Sequence, residues 1–257
     1  MGLMIAWQTE RMTPRVLALD TSTETLAVAL QAGGRRWCRQ GPGGAAASAG
    51  LLPMVRALLA EAGLSVADLD AIAFGQGPGA FTGLRTACSV AQGLAWGGGL
   101  PVVTVDSLLI VAEDVRRRLG PLPRLDVGVV MDARMGELYA ARYAWADGAW
   151  STTLPPSLCA PQDLAALWKV RPEQLAGTGL VLCRNAGHDL GRGFEDTQDR
   201  ATALLDLALA GLAAGRTVSA AEAAPVYLRD KVALTTAERQ ATSRSSAGAA
   251  LSLEGVR

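Results

Sequence analysis

Few residues in this chain have types and spacing suited to chemistry. Asp20-Thr21-Ser22-Thr23 sets a carboxylate beside hydroxyls at a turn, where hydroxyl and N–H groups can hold phosphate and the acid can orient a metal-bound water. Asp132 occupies a comparable turn further along. Asp, Ser and Thr are also common turn formers that bond their own backbone, so both readings stand at this point. Gly75 to Arg85 is a glycine-rich loop entering a helix, a place where backbone amides and the helix dipole can meet an anion. It fits neither GxxxxGK[ST] nor GxGxxG and contains no Lys, so the alternative is a tight turn that only positions the helix. The single histidine, His188, excludes any metal site needing a pair of imidazoles. Its setting, Asn185-Ala186-Gly187-His188-Asp189, is that of a surface loop rather than of a base for Ser22 or Ser107. Cys38, Cys88, Cys159 and Cys183 show no CxxC spacing and read as reduced thiols of a cytosolic protein.

The elements that must position these residues alternate between strand and helix. A buried strand at Val16 to Leu19, a return strand at Thr25 to Gln31 and a more exposed segment at Arg35 to Gln40 make an antiparallel meander. A Gly/Ala tract leads into a helix from about Ser48 to Gly63. Then come a strand at Ala71 to Phe74, a helix over Thr82 to Trp96, a strand at Val102 to Val105 and a helix over Ser107 to Leu119. From Pro121 the pattern restarts: strands at Asp126 to Asp132 and Glu137 to Trp145, a helix at Pro161 to Trp168, a strand near Leu180 to Cys183, and a helix at Thr202 to Ala214. Two lobes that each open on a hairpin suggest a duplicated α/β architecture. Residues 1–14 are expected to be an unstructured extension, 15–109 the first lobe, 110–215 the second, 216–232 a segment packing on both, and 233–257 a flexible tail.

Lys+Arg and Asp+Glu both number 24 in 257 residues, which argues against a standalone nucleic-acid binder. No uninterrupted apolar run reaches the roughly 18 residues of a membrane span. The helices carry more information. Leu51, Leu52, Val55, Leu58 and Leu59 recur at helical spacing on the first. On the second, Gly83, Ala87, Ala91 and Ala95 form a stripe of small residues that admits a close helical neighbour. That neighbour is either the first helix or a second protein. Arg85 lies at the positive end of its helix and calls for a compensating anion.

Val16 to Thr23, Gly75 to Arg85 with Ala91-Gln92-Gly93-Leu94-Ala95, and Pro225-Val226-Tyr227-Leu228-Arg229 together resemble the TsaB (formerly YeaZ) family. The resemblance implies a two-lobed actin-like ATPase fold, ribonuclease H-like in each lobe, and a role in making N6-threonylcarbamoyladenosine beside the tRNA anticodon. It also implies a non-catalytic subunit. The transfer belongs to a paralogous partner, TsaD, which holds a metal through paired histidines, and TsaE joins the pair. The resemblance further implies docking through the two helices, hence through Leu51, Leu52, Val55, Leu58, Leu59, Gly83, Ala87, Ala91 and Ala95, with a homodimer when the partner is absent. Asp20, Thr21 and Ser22 are the expected nucleotide contacts, with ATP or ADP bound only within the complex. The chain departs from its relatives at Ala47-Ser48, where His followed by Ser or Thr is frequent, and at Ala80, where Ser is usual. An independent ATPase or phosphotransferase using Asp20 and Asp132 is the enzyme alternative. A metallopeptidase would need ligands beyond one histidine.

Overall fold

A computed structural model describes residues 13–229. Strands β1 (Val16–Asp20), β2 (Thr25–Ala32) and β3 (Arg35–Pro42) form the meander, and β4 (Ala71–Gly77) and β5 (Val102–Asp106) extend it in parallel, giving the order β3-β2-β1-β4-β5. Every residue of β1 is buried, as befits a strand covered on both faces. The second sheet repeats the plan. Its strands β6 (Arg124–Asp132), β7 (Leu138–Ala146), β8 (Ala149–Cys159) and β9 (Gln174–Ala176) run in the order β8-β7-β6-β9, with β9 parallel to β6. This duplication is the two-lobed actin-like α/β fold.

Helices α1 (Ala47–Ala62) and α2 (Phe81–Gly98) cover one face of the first sheet, where Leu51, Val55, Leu58, Ala87 and Ala91 pack with Leu17, Leu19, Ile72 and Phe74. Each fully buried Leu or Val there contributes roughly 1.5–3 kcal/mol. Helix α3 (Ser107–Leu119) runs between the lobes, its Leu108, Val111 and Val115 packing on Val127 and Val129 of β6. Asp106 caps it, accepting from the Leu108 and Leu109 amides at 2.9 and 3.4 Å, and Arg116 to Arg118 occupy the last turn, where cations suit the dipole. Helices α4 (Leu164–Trp168) and α5 (Gly179–Asn185) back the second sheet.

Three expectations change. Leu180 to Cys183 is not a strand but the core of α5: Leu180 and Cys183, three apart, are buried while Val181 is exposed, the spacing of a helix. The parallel strand of the second lobe is instead the short Gln174–Ala176. β8, an edge strand carrying Pro155 and Pro156, had no apolar alternation to reveal it. Finally, α6 (Arg200–Ala213) was expected within the second lobe, yet Ala201, Leu204, Leu205 and Ala208 pack on the free face of the first sheet. The expected extension up to residue 12 and the tail from residue 230 lie outside the described residues. By length and composition Gly44–Ala62 passes as a possible membrane span, but its apolar side is spent on the core.

Candidate functional site

The lobes enclose a cleft of about 730 Å³, with Ser22, Thr23, Ala80, Phe81 and Ser107 on one wall and Asp132, Arg134, Thr178 and Asn185 on the other. Ser22 and Asp132, from the paired turns, therefore do face a common space. Asp20 and Thr21 do not line it. Thr21 donates its hydroxyl to the Gly83 carbonyl at 2.6 Å, fixing the first turn of α2 to the β1–β2 turn. Asp20 is wholly buried and its carboxylate accepts from Arg200 Nε at 2.5 Å. Arg200, 1% exposed, also donates through Nη2 to Ser22 Oγ at 2.8 Å and to the Ser107 carbonyl at 3.2 Å. The guanidinium of Arg200 thus supplies the Asp20 carboxylate with a counter-charge from within the chain.

Arg200 was not found from sequence, although the signal that singled out Arg85 applies to it equally. It is a cation in the first turn of a helix, opposed by the dipole, and so needs an anion. Here the anion is internal. Two acids place it: Asp199 caps α6 by accepting from the Thr202 amide at 3.0 Å, and buried Asp114 of α3 accepts from the Gln198 and Asp199 amides at 3.1 and 2.9 Å. Arg85 itself forms no ion pair with a described residue. Its guanidinium lies 3.7 Å from the Phe81 ring centroid and donates to the Tyr227 hydroxyl at 3.1 Å.

The glycine-rich loop is explained by its own chain. A Cβ on Gly75 would stand 2.0 Å from Asp20 Oδ1, on Gly79 2.5 Å from the Ser22 carbonyl, and on Gly83 1.8 Å from the Thr21 carbonyl. The loop thus lies directly against the β1–β2 turn, and the Ala80 amide is spent on the Ser22 carbonyl at 2.8 Å. Gly77 has φ +113°, a conformation reserved for glycine. His188 is exposed beyond α5 and outside the cleft, away from Ser22 and Ser107. Asp106, half-buried between the lobes, receives the Tyr143 hydroxyl at 2.6 Å; desolvation pushes its carboxyl above the usual range and pushes the Tyr143 phenol well above its own. Among the described residues no cluster of three or more His, Cys, Asp or Glu could hold a metal.

The helix residues named for docking need correction. Gly83, Ala87, Ala91 and Ala95 are buried against the first sheet, and Leu51, Val55, Leu58 and Leu59 lie in the same core. Only Leu52 is open, at 46% exposure. The small-residue stripe thus answers to the chain's own strands. The outer side of α2 carries a different small series, Ser89, Gly93 and Gly97, beside Trp96 at 74% exposure.

A family model described as TsaD, tRNA N6-adenosine threonylcarbamoyltransferase, matches residues 45–237. The chain is 34% identical over 230 residues to tRNA threonylcarbamoyladenosine biosynthesis protein TsaB of Escherichia coli K12, covering 85% of this chain and 96% of that one. The chain belongs to the TsaB family. The Haemophilus influenzae TsaB is 31% identical, with 84% and 94% covered. The solved structure of YeaZ from Pseudomonas aeruginosa superposes with a TM-score of 0.73 at 36% identity, covering 84% of this chain and all of that one. TsaB proteins are named for tRNA threonylcarbamoyladenosine biosynthesis, and that is the family role. The Asp20–Arg200 pair and the inter-lobe cleft are accordingly features of a TsaB-family chain.

Proposed function

We propose that the chain is the non-catalytic dimerisation subunit of the tRNA N6-threonylcarbamoyladenosine transferase complex. It supports TsaD in transferring threonylcarbamoyl to the adenosine beside the anticodon. The observation carrying this reading is the buried Asp20–Arg200 pair, which satisfies from within the acid that a nucleotide-handling cleft would use. The lone histidine supports it, because a catalytic relative with paired metal-binding histidines has no counterpart in this sequence. TsaE joins the TsaD pair, tRNA is reached through the complex, and the setting is cytoplasmic. No cofactor is tightly bound, with ATP or ADP entering only in the complex.

Docking falls to the outward sides of α1 and α2, where Leu52 and Trp96 leave apolar surface uncovered and Ser89, Gly93 and Gly97 allow a partner helix close approach. The same surface serves a homodimer when TsaD is absent. Gly93→Arg tests this. A Cβ at Gly93 meets nothing within 4 Å, and leaving glycine gains up to about 1 kcal/mol of helix propensity. The variant is therefore expected to keep its circular dichroism and melting temperature while losing capture of TsaD. Retained capture would move the interface elsewhere.

A second reading, an independent ATPase or phosphotransferase, draws on Ser22 and Asp132 facing one cleft. Calorimetry with ATP and magnesium on the isolated chain separates the two: tight binding with turnover favours the enzyme, and no heat favours the subunit.

A further inference from the structure

The segment after α6 follows a path that the subunit reading leaves unused. Val218 pairs with Val102 at the edge of β5, and Ala220 and Ala223 lie in the core beneath α1 and α2. The Ala223 carbonyl accepts from Gln92 Nε2 of α2 at 2.8 Å. The chain then passes along the cleft, where the Val226 amide donates to the Gln76 carbonyl at 2.7 Å. Tyr227 sets its ring 5.0 Å from Phe81, the first residue of α2, and its hydroxyl accepts from Arg85 one turn later. Two residues further on the chain is held by the other lobe. Leu228 packs on the core of the second sheet, and Arg229 ion-pairs with Glu137 and donates to the Arg134 carbonyl at 3.2 Å, both in the β6–β7 turn. That same turn reaches back across the cleft mouth through Arg134, which pairs with Glu24 at 2.7 Å.

We propose that Ala223–Arg229 is an inter-lobe strap that couples opening of the cleft to the packing of the first turns of α2. The β6–β7 turn cannot swing away from the first lobe without drawing on Arg229, and Tyr227, two residues before it, packs in a tilted contact against the first residue of α2. Arg85 lies between: it forms no ion pair with a described residue and is held by Phe81 of its own helix and by Tyr227, the contact it loses when the strap lifts. The exposed Glu24–Arg134 pair is worth little alone, since both partners are nearly three-quarters exposed, so the strap carries the connection.

Hydrogen exchange by mass spectrometry on the isolated full chain tests the coupling without any partner, so its failure leaves the subunit reading standing. In Arg229→Ala, exchange is expected to rise about tenfold or more both in the β6–β7 turn and at the amides of Leu84 to Cys88 in α2. Arg142→Ala is the control: Arg142 holds Asp126 through two contacts at 2.7 and 2.8 Å inside the second lobe and does not touch the strap. It is expected to loosen the second sheet and leave Leu84 to Cys88 at the wild-type rate. Should Arg229→Ala fail to fold, Glu137→Gln weakens the same anchor and is expected to give the same pattern at smaller amplitude. Loosening confined to the β6–β7 turn, no change in either place, or the same α2 response in Arg142→Ala would overturn the strap.

Discussion

Replacing Arg200 with alanine is expected to lower the stability of the folded chain by about 3–5 kcal/mol in urea unfolding, because it strands the buried Asp20 carboxylate. Asp20 is 0% exposed and, among the described residues, retains only Ser22 as a hydrogen-bond donor, through Oγ at 3.1 Å and a weak amide contact at 3.4 Å. Folding free energies of single domains run to about 5–15 kcal/mol, so the loss is a large share of the whole. The pair itself is not the source of that stability. Desolvating two charges costs about what their attraction returns, and the penalty appears when one is left alone. The double variant Asp20→Asn with Arg200→Met is therefore expected to recover at least half of the loss. An Arg200→Ala chain within about 1 kcal/mol of wild type would mean that Asp20 finds water or another partner. The cleft would then be open to metal and nucleotide chemistry after all.

Ala91→Arg is expected to abolish folding rather than merely dislodge a partner. Ala91 is 0% exposed, in the core cluster that includes Leu17, Leu19, Ile72 and Phe74. An arginine there must bury an uncompensated charge, at several kcal/mol, and overpack a filled space, at a further 1–3 kcal/mol or so. Together these approach the total stability of a domain. Circular dichroism and thermal melting check this directly: a cooperative transition near the wild-type temperature would show that α2 can turn its stripe outward. The contrast with Gly93→Arg, two residues away on the same helix and surrounded by open space, separates a folding defect from a docking defect.

Much of this was legible in the sequence for identifiable reasons. Parallel strands buried on both faces read as continuous apolar runs, which placed β1, β4 and β5 to within three residues at each end. Helix α3 was placed at Ser107 to Leu119, the range it occupies. The hidden parts are those where local sequence carries no tertiary signal. A stripe of small residues reports that something packs closely but not what it is: the sequence offered a second helix or a partner, and the structure supplies β1 and β4. The glycines at 75, 79 and 83 look like a phosphate loop until the Asp20–Ser22 backbone is seen lying against them. Asp20 and Arg200 are 180 residues apart, and no periodicity links them.

The most direct test of the subunit reading is to deplete the chain in cells and quantify threonylcarbamoyladenosine in total tRNA by mass spectrometry, then restore either the wild-type chain or Asp132→Asn. Asp132 lines the cleft and is part-exposed, so this substitution removes its charge without burying anything. Depletion is expected to remove most of the modification, and both chains are expected to restore it. Unchanged modification on depletion would contradict the role itself. Failure of Asp132→Asn, present at wild-type abundance, would contradict the non-catalytic assignment and return the cleft to an enzyme.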